Sequence, residues 1–229
     1  AGAGNPAMVA GKATGDRQWP VTQAAMPRHE SLHALLHRVR ACTICADYLP
    51  LGPRPVLQAG SGARILIAGQ APGRKVHASG IPFDDASGQR LRDWLGLTPE
   101  QFYDPTQVAI LPMGFCYPGK GISGDAPPRP ECAPAWRAQL LAHLPRLAFT
   151  VVLGQYALAW HMPEERSGVT QAVQNWQRHW PAAVVLPHPS PRNNGWLKRN
   201  PWFETQLLPE VRARVIAVLA TKGRPDRTT

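Results

Sequence analysis

Apolar residues gather into four short, unbroken runs: RILIA at 64–68, VAIL at 108–111, TVVL at 150–153 and AVVL at 183–186. None alternates with polar residues. That is the pattern of strands covered on both faces, as in a parallel sheet between helices. Helices are predicted between the runs at 87–97, 130–147, 155–160 and 169–178. A leading helix around 31–40 carries Leu32, Leu35, Leu36 and Val39 on one side. A closing helix at about 204–220 carries Leu207, Leu208, Val211, Val215 and Leu219. This order predicts an α/β fold, a three-layer α/β/α sandwich with a central four-stranded parallel sheet. One domain is expected over residues 29–221. Residues 1–28 are Ala/Gly-rich without periodicity and are expected to be disordered, and 222–229 (KGRPDRTT) to form a flexible basic tail.

Each predicted strand runs into a distinctive loop. The first gives GQAPG (Gly69, Gln70, Ala71, Pro72, Gly73), the second PMGFCYPGK from Pro112, the third GQY, and the fourth PHPSPRNN from Pro187. Ligands of open parallel sheets bind at the carboxyl ends of the strands, so the unusual chemistry gathers on one edge. In GQAPG the glycines allow close backbone approach and expose N–H groups, although a tight turn alone also needs them. The segment that follows brings His77, then Phe83 held by Pro82, then Asp84 and Asp85. Read from the residues alone, Phe83 suits a core ring, and Asp85 a solvated or helix-capping residue. His188 leads H-P-S-P-R, where prolines on both sides of Ser190 stiffen the loop. A neutral imidazole there can donate to an oxygen that gains charge in a transition state. Beyond Pro191, Arg192, Lys198 and Arg199 mix with Trp196, Trp202 and Phe203. That combination suits phosphate contacts and apolar wedges, or an ordinary solvated helix start.

Charge sharpens the picture. The 25 basic and 15 acidic residues leave a formal net charge of +10, which favours a polyanionic partner or an anionic membrane surface. No apolar run approaches the roughly 18 residues of a membrane span, and the first twenty residues lack the apolar stretch of a secretory signal. A cytoplasmic monomer without membrane contact is expected. The four cysteines, Cys42, Cys45, Cys116 and Cys132, fall as C-x2-C, a 70-residue gap, then C-x15-C. They read as buried thiols or as thiolate ligands, and spacing alone does not choose between zinc and an iron–sulfur cluster. Neither G-x-x-x-x-G-K-[ST] nor G-x-G-x-x-G occurs, which disfavours a free-nucleotide binder.

GQAPG and HPSPR, with SGIPF between them and the four cysteines, resemble the uracil-DNA glycosylase superfamily, most closely its iron–sulfur (family 4-like) branch. The resemblance spans roughly residues 32–220. It implies a DNA repair enzyme that flips a damaged base, uracil first, out of single- or double-stranded DNA and hydrolyses its N-glycosidic bond. On this resemblance a 4Fe–4S cluster sits on Cys42, Cys45, Cys116 and Cys132. Gln70–Gly73 form the first catalytic loop, Phe83 stacks the base and His188 acts in the second loop. Catalytic candidates are Gln70, His77, Asp85 and His188. Gly69, Ala71, Pro72, Gly73, Phe83, Ser190, Pro191, Arg192 and Lys198 are candidates for DNA contact. Three departures from the pattern stand out. Ala71 replaces the water-orienting Asp of the best-known branch. Gln70 and His77 replace acidic residues of the iron–sulfur branch, and Pro112 replaces the pyrimidine-reading Asn. The alternative on this fold is a damage or abasic-site binder, or a glycosylase for another lesion.

Overall fold

The computed structural model describes residues 30–122 and 124–221. The expected disordered segment 1–28 and basic tail 222–229 lie outside the described residues. All four apolar runs form strands of one parallel sheet. In chain order they are β1 (Ile65–Ala68) and β2 (Val108–Ile110), then β5 (Phe149–Leu153) and β6 (Ala183–Leu186). Between them comes a small antiparallel hairpin of β3 (Lys120–Gly121) and β4 (Gly124–Asp125). The sheet order is β2-β1-β5-β6. Ile67 sits between Ile110 and Val151, and Val151 in turn beside Val184. Alternate residues serve opposite faces, as strand geometry requires. Ile65 and Ile67 join one apolar cluster, and Leu66 the other.

The helices are α1 (Leu32–Arg40), α2 (Arg74–Ser79), α3 (Ala86–Leu95), α4 (Pro99–Phe102), α5 (Cys132–Ala142), α6 (Gly154–His161), α7 (Val169–Gln174), α8 (Asn194–Arg199) and α9 (Leu208–Ala220). The α/β/α sandwich read from the sequence is therefore the fold. Leu35, Leu36 and Val39 of α1 pack with Trp136 and Leu140 of α5 in the cluster that contains Leu66. The cluster of Ile65 and Ile67 takes Leu91 and Leu95 of α3, Ala157 of α6, Val173 of α7 and Val211 of α9. Each such aliphatic side chain taken out of water stabilises the fold by about 1.5–3 kcal/mol. The outer edge of β2 is blunted by a bridge to Gln58, whose side-chain amide also donates to the carbonyls of Phe102 and Val108.

Departures from the expected elements have local causes. The helix predicted at 130–147 stops at Ala142, because Leu144 precedes Pro145 and is disfavoured in helical geometry. That predicted at 169–178 breaks at Asn175 into a 3-10 turn, Trp176–His179. The closing helix opens with a π turn, Phe203–Leu207, since Pro209 has no N–H to bond the carbonyl four residues back. The short α2 and α4, and the hairpin, carry too few apolar residues to show periodicity.

Arg137 of α5 is fully buried. Its guanidinium donates to the carbonyls of Leu111 and Pro112 at 2.9 and 3.2 Å, and to His161 Nε2. Burial holds the arginine down at about 10, still cationic at neutral pH, and burial together with Arg137 holds His161 at about 4, a neutral acceptor. Arg137→Ala should strand two buried carbonyls, each costing about 1–3 kcal/mol. Urea unfolding should show a loss on the order of 3 kcal/mol, and an unchanged midpoint would contradict this role.

Candidate active site

A cleft of ≈ 400 Å³ opens at the carboxyl edge of the sheet. Its wall takes Gly69, Gln70, Ala71, Pro72 and Gly73 from the loop after β1, Pro112 from the exit of β2, and His188, Ser190 and Arg192 from the loop after β6. Phe83 and Asp85 close it from the segment between α2 and α3. The first two loops are zipped together, with Met113 N donating to Gly69 O at 2.9 Å and Gly114 N to Gln70 O at 2.8 Å. In effect the sheet ladder continues past the strands and fixes the cleft floor.

Phe83 is the one non-glycine with positive φ (56°) among the described residues. Such a conformation costs on the order of 1–3 kcal/mol and persists only where the surroundings impose it. Here the Phe83 carbonyl abuts Gly88, where any Cβ would collide with it, and accepts from the Tyr103 hydroxyl at 3.4 Å. The ring is thereby placed against Gly69, edge-on to Phe102 at 6.1 Å. Asp85 follows as the N-cap of α3, its Oδ1 accepting from Gly88 N at 2.9 Å. Both sequence readings of Asp85 thus meet in one residue, which caps the helix and lines the cleft.

His188 is held from three sides. Ser190 N donates to its Nδ1 at 3.2 Å, and Asn193 Nδ2 to its carbonyl at 2.7 Å. Arg90 of α3 donates to the carbonyls of Pro189 and Ser190, both at 3.3 Å. Since Nδ1 accepts, the proton of the neutral ring sits on Nε2. Burial lowers the His188 pKa, opposed in part by Asp85. The cleft is therefore furnished with a neutral N–H donor.

Not every candidate reaches this cleft. His77 is buried on α2 with its Nδ1 unpartnered, its ring 6.2 Å from that of Tyr117, and its pKa lowered by burial and by Arg54. Pro191 opens an exposed 3-10 turn, and Lys198 lies exposed on α8. Neither lines the cleft. Conversely, the structure adds Val56, Asn193, Asp125 and Ala126. Asp125 belongs to the hairpin, whose turn glycines in GKGISGD were its available signal. Arg192 lies over Gly124 (φ 128°), where a Cβ would meet the guanidinium.

The four cysteines line one hollow, with Ile44, Pro55, Phe115, Glu131 and Trp136. Cys132 Sγ accepts from Phe115 N and Cys42 Sγ from Trp136 Nε1, both at 3.3 Å. Burial, with the neighbouring thiols, pushes Cys116 up to about 11 and Cys132 up to about 12, so alone they stay protonated. Among the described residues no three His, Cys, Asp or Glu side chains are grouped so as to hold a metal ion. Also among the described residues, no helix is long and apolar enough to cross a membrane.

The family model of the uracil DNA glycosylase superfamily matches residues 57–212, more than half of the chain. The protein belongs to this superfamily. The matched span holds every cleft residue named here except Val56, and it includes Cys116 and Cys132 but not Cys42 and Cys45.

The geometry fixes the state of His188. Nitrogen-15 NMR at about pH 6.5, where an ordinary histidine is about half protonated, should show a neutral His188 ring with its proton on Nε2. An imidazolium, or a proton on Nδ1, would contradict it.

Proposed function

We propose that this superfamily member is a DNA glycosylase that releases uracil from DNA, with a 4Fe–4S cluster as a structural cofactor. The observation that carries the reading is the pairing of a strained aromatic platform, Phe83, with a neutral His188 donor in one cleft. A flipped base stacked on Phe83 has its ring plane set by that contact. As the C1′–N bond lengthens, its electron pair moves onto the base and a carbonyl oxygen gains charge. His188 Nε2–H meets that oxygen. A preorganised neutral donor strengthens toward the transition state without a proton having to leave it. Arg192 and the exposed Lys198 and Arg199 supply phosphate contacts at the rim.

Selectivity rests on shape. Pro112, Val56 and Ile110 give the cleft apolar wall where an amide would read a pyrimidine edge. Losing such a bidentate reader removes about 1–3 kcal/mol of discrimination. With single-uracil, hypoxanthine and xanthine oligonucleotides under single-turnover conditions, uracil release should be fastest, with slower release of the others. His188→Ala should cut the rate by about 10²–10³ while DNA binding persists. Binding without release from any of them would make the protein a damage binder. An unaffected His188→Ala variant would remove His188 from the chemistry.

The donor set around the cysteine hollow suits a cluster. Four cysteines line it, and two N–H groups point at their sulfurs. Five residues after Cys132, the Arg137 cation has only carbonyls and a neutral imidazole for partners, and an anionic thiolate centre would supply its counter-charge. Cys42, Cys45, Cys116 and Cys132 would hold the cluster, whose contribution is to cross-link α1, the exit of β2 and α5. Protein purified without oxygen should carry iron and acid-labile sulfide in equal amounts, and Cys42→Ser should lose both with much of its soluble yield. Stoichiometric zinc without sulfide would overturn the cluster.

A further inference from the structure

Hydrolysis needs a group that takes a proton from water, and Ala71 cannot. Of the cleft residues only Asp85, Asp125 and His188 carry a side chain able to accept a proton near neutrality; Gln70, Ser87, Ser190 and Asn193 do not. His188 is spoken for, its Nδ1 receiving the Ser190 amide. Asp85 spends Oδ1 on the cap of α3. The Asp125 carboxylate stands at the cleft mouth, with Oδ2 about 3.4 Å from where a side chain on Gly73 would begin. No hydrogen bond or ion pair engages it among the described residues. The hairpin carrying it is pinned by Ala126 N donating to Gly119 O at 2.8 Å and by the Arg192 side chain over Gly124.

We propose that Asp125, on the β3–β4 hairpin, is the catalytic carboxylate that takes the proton of the attacking water. The inference rests on the glycosylase reading. In the step, the C1′–N bond breaks and its electron pair leaves with the base. Water oxygen bonds C1′, and one water proton passes to the Asp125 carboxylate. Asp125 then gives that proton to solvent, from which the departed base takes one, leaving a free base and an abasic sugar with the carboxylate restored. Before water adds, the same carboxylate faces the cationic sugar and stabilises it.

The charged groups facing Asp125 are Asp85 at the head of α3 and Arg192 after β6, with His188 neutral. Burial raises the Asp125 pKa, against the pull of Arg192 and with a smaller push from Asp85. A raised carboxylate pKa means that ionisation is disfavoured by the fold. Stability from this residue is full below the unfolded value and falls as pH rises through the folded one. A carboxylate whose charged form the fold disfavours is set to accept a proton.

The test uses the full-length protein on a single-uracil oligonucleotide under single-turnover conditions across the acid range. Wild-type release should rise with pH through the titration of a carboxylate. Asp125→Asn should lower the plateau by about 10²–10⁴, the usual reach of a general base, and flatten that rise, with DNA binding kept and Tm at neutral pH raised. Asp125→Ala should regain rate on addition of formate, which a merely structural role would not allow. A normal rate and pH profile for Asp125→Asn, or transfer of both effects to Asp85→Asn, overturns the assignment. If the wild type releases no base at all, the glycosylase reading itself has failed.

Discussion

Parallel strand pairing is the constraint on which everything else depends. Four strands buried on both faces must all point the same way, so every strand exit lies on one edge of the sheet. Polar and conformationally unusual residues excluded from the core collect there. The backbone bonds from Met113 and Gly114 to the first loop then stiffen that edge beyond the strands themselves. A cleft built this way owes its precision to the core, and it needs few side-chain contacts of its own.

Two local tensions sit against this rigid frame. Phe83 is held in the left-handed region because its carbonyl lies tight on Gly88, at the place where Asp85 caps α3. The strain of Phe83 and the stability of α3 are thereby tied, and the ring has little freedom to leave the cleft. Arg137 is the second. Its buried cation holds the exit of β2 against α5, whose first residue is Cys132. Whatever occupies the cysteine hollow is mechanically linked, through α5 and Arg137, to Pro112 in the cleft wall.

Legibility in the sequence followed burial. The four strands and the closing helix were readable because an unbroken apolar run of four or five residues between turn signals marks a segment covered on both faces. GQAPG and HPSPR were readable because each follows such a run. Asp125 was not, since its hairpin pairs only two residues a side and carries no apolar side chain in its strands. His77 misled for the opposite reason. Its neighbourhood in sequence is the first loop, but one turn of α2 rotates it away from the cleft toward Tyr117. The role of Asp85 as a cap was visible in D-A-S-G before an amphipathic stretch. That the same side chain also faces the cleft depends on the strained turn at Phe83, which no local pattern announces.

The central claim is that this edge receives a base taken out of the DNA stack. The most direct measurement places 2-aminopurine next to a single uracil in a duplex and follows its fluorescence on binding the slowed His188→Ala variant. The account predicts a rise with the uracil duplex, none with an undamaged duplex of the same sequence, and a reduced rise when Phe83→Ala is added. Binding of the uracil duplex with no change in fluorescence would mean that the base stays stacked, and would contradict the account.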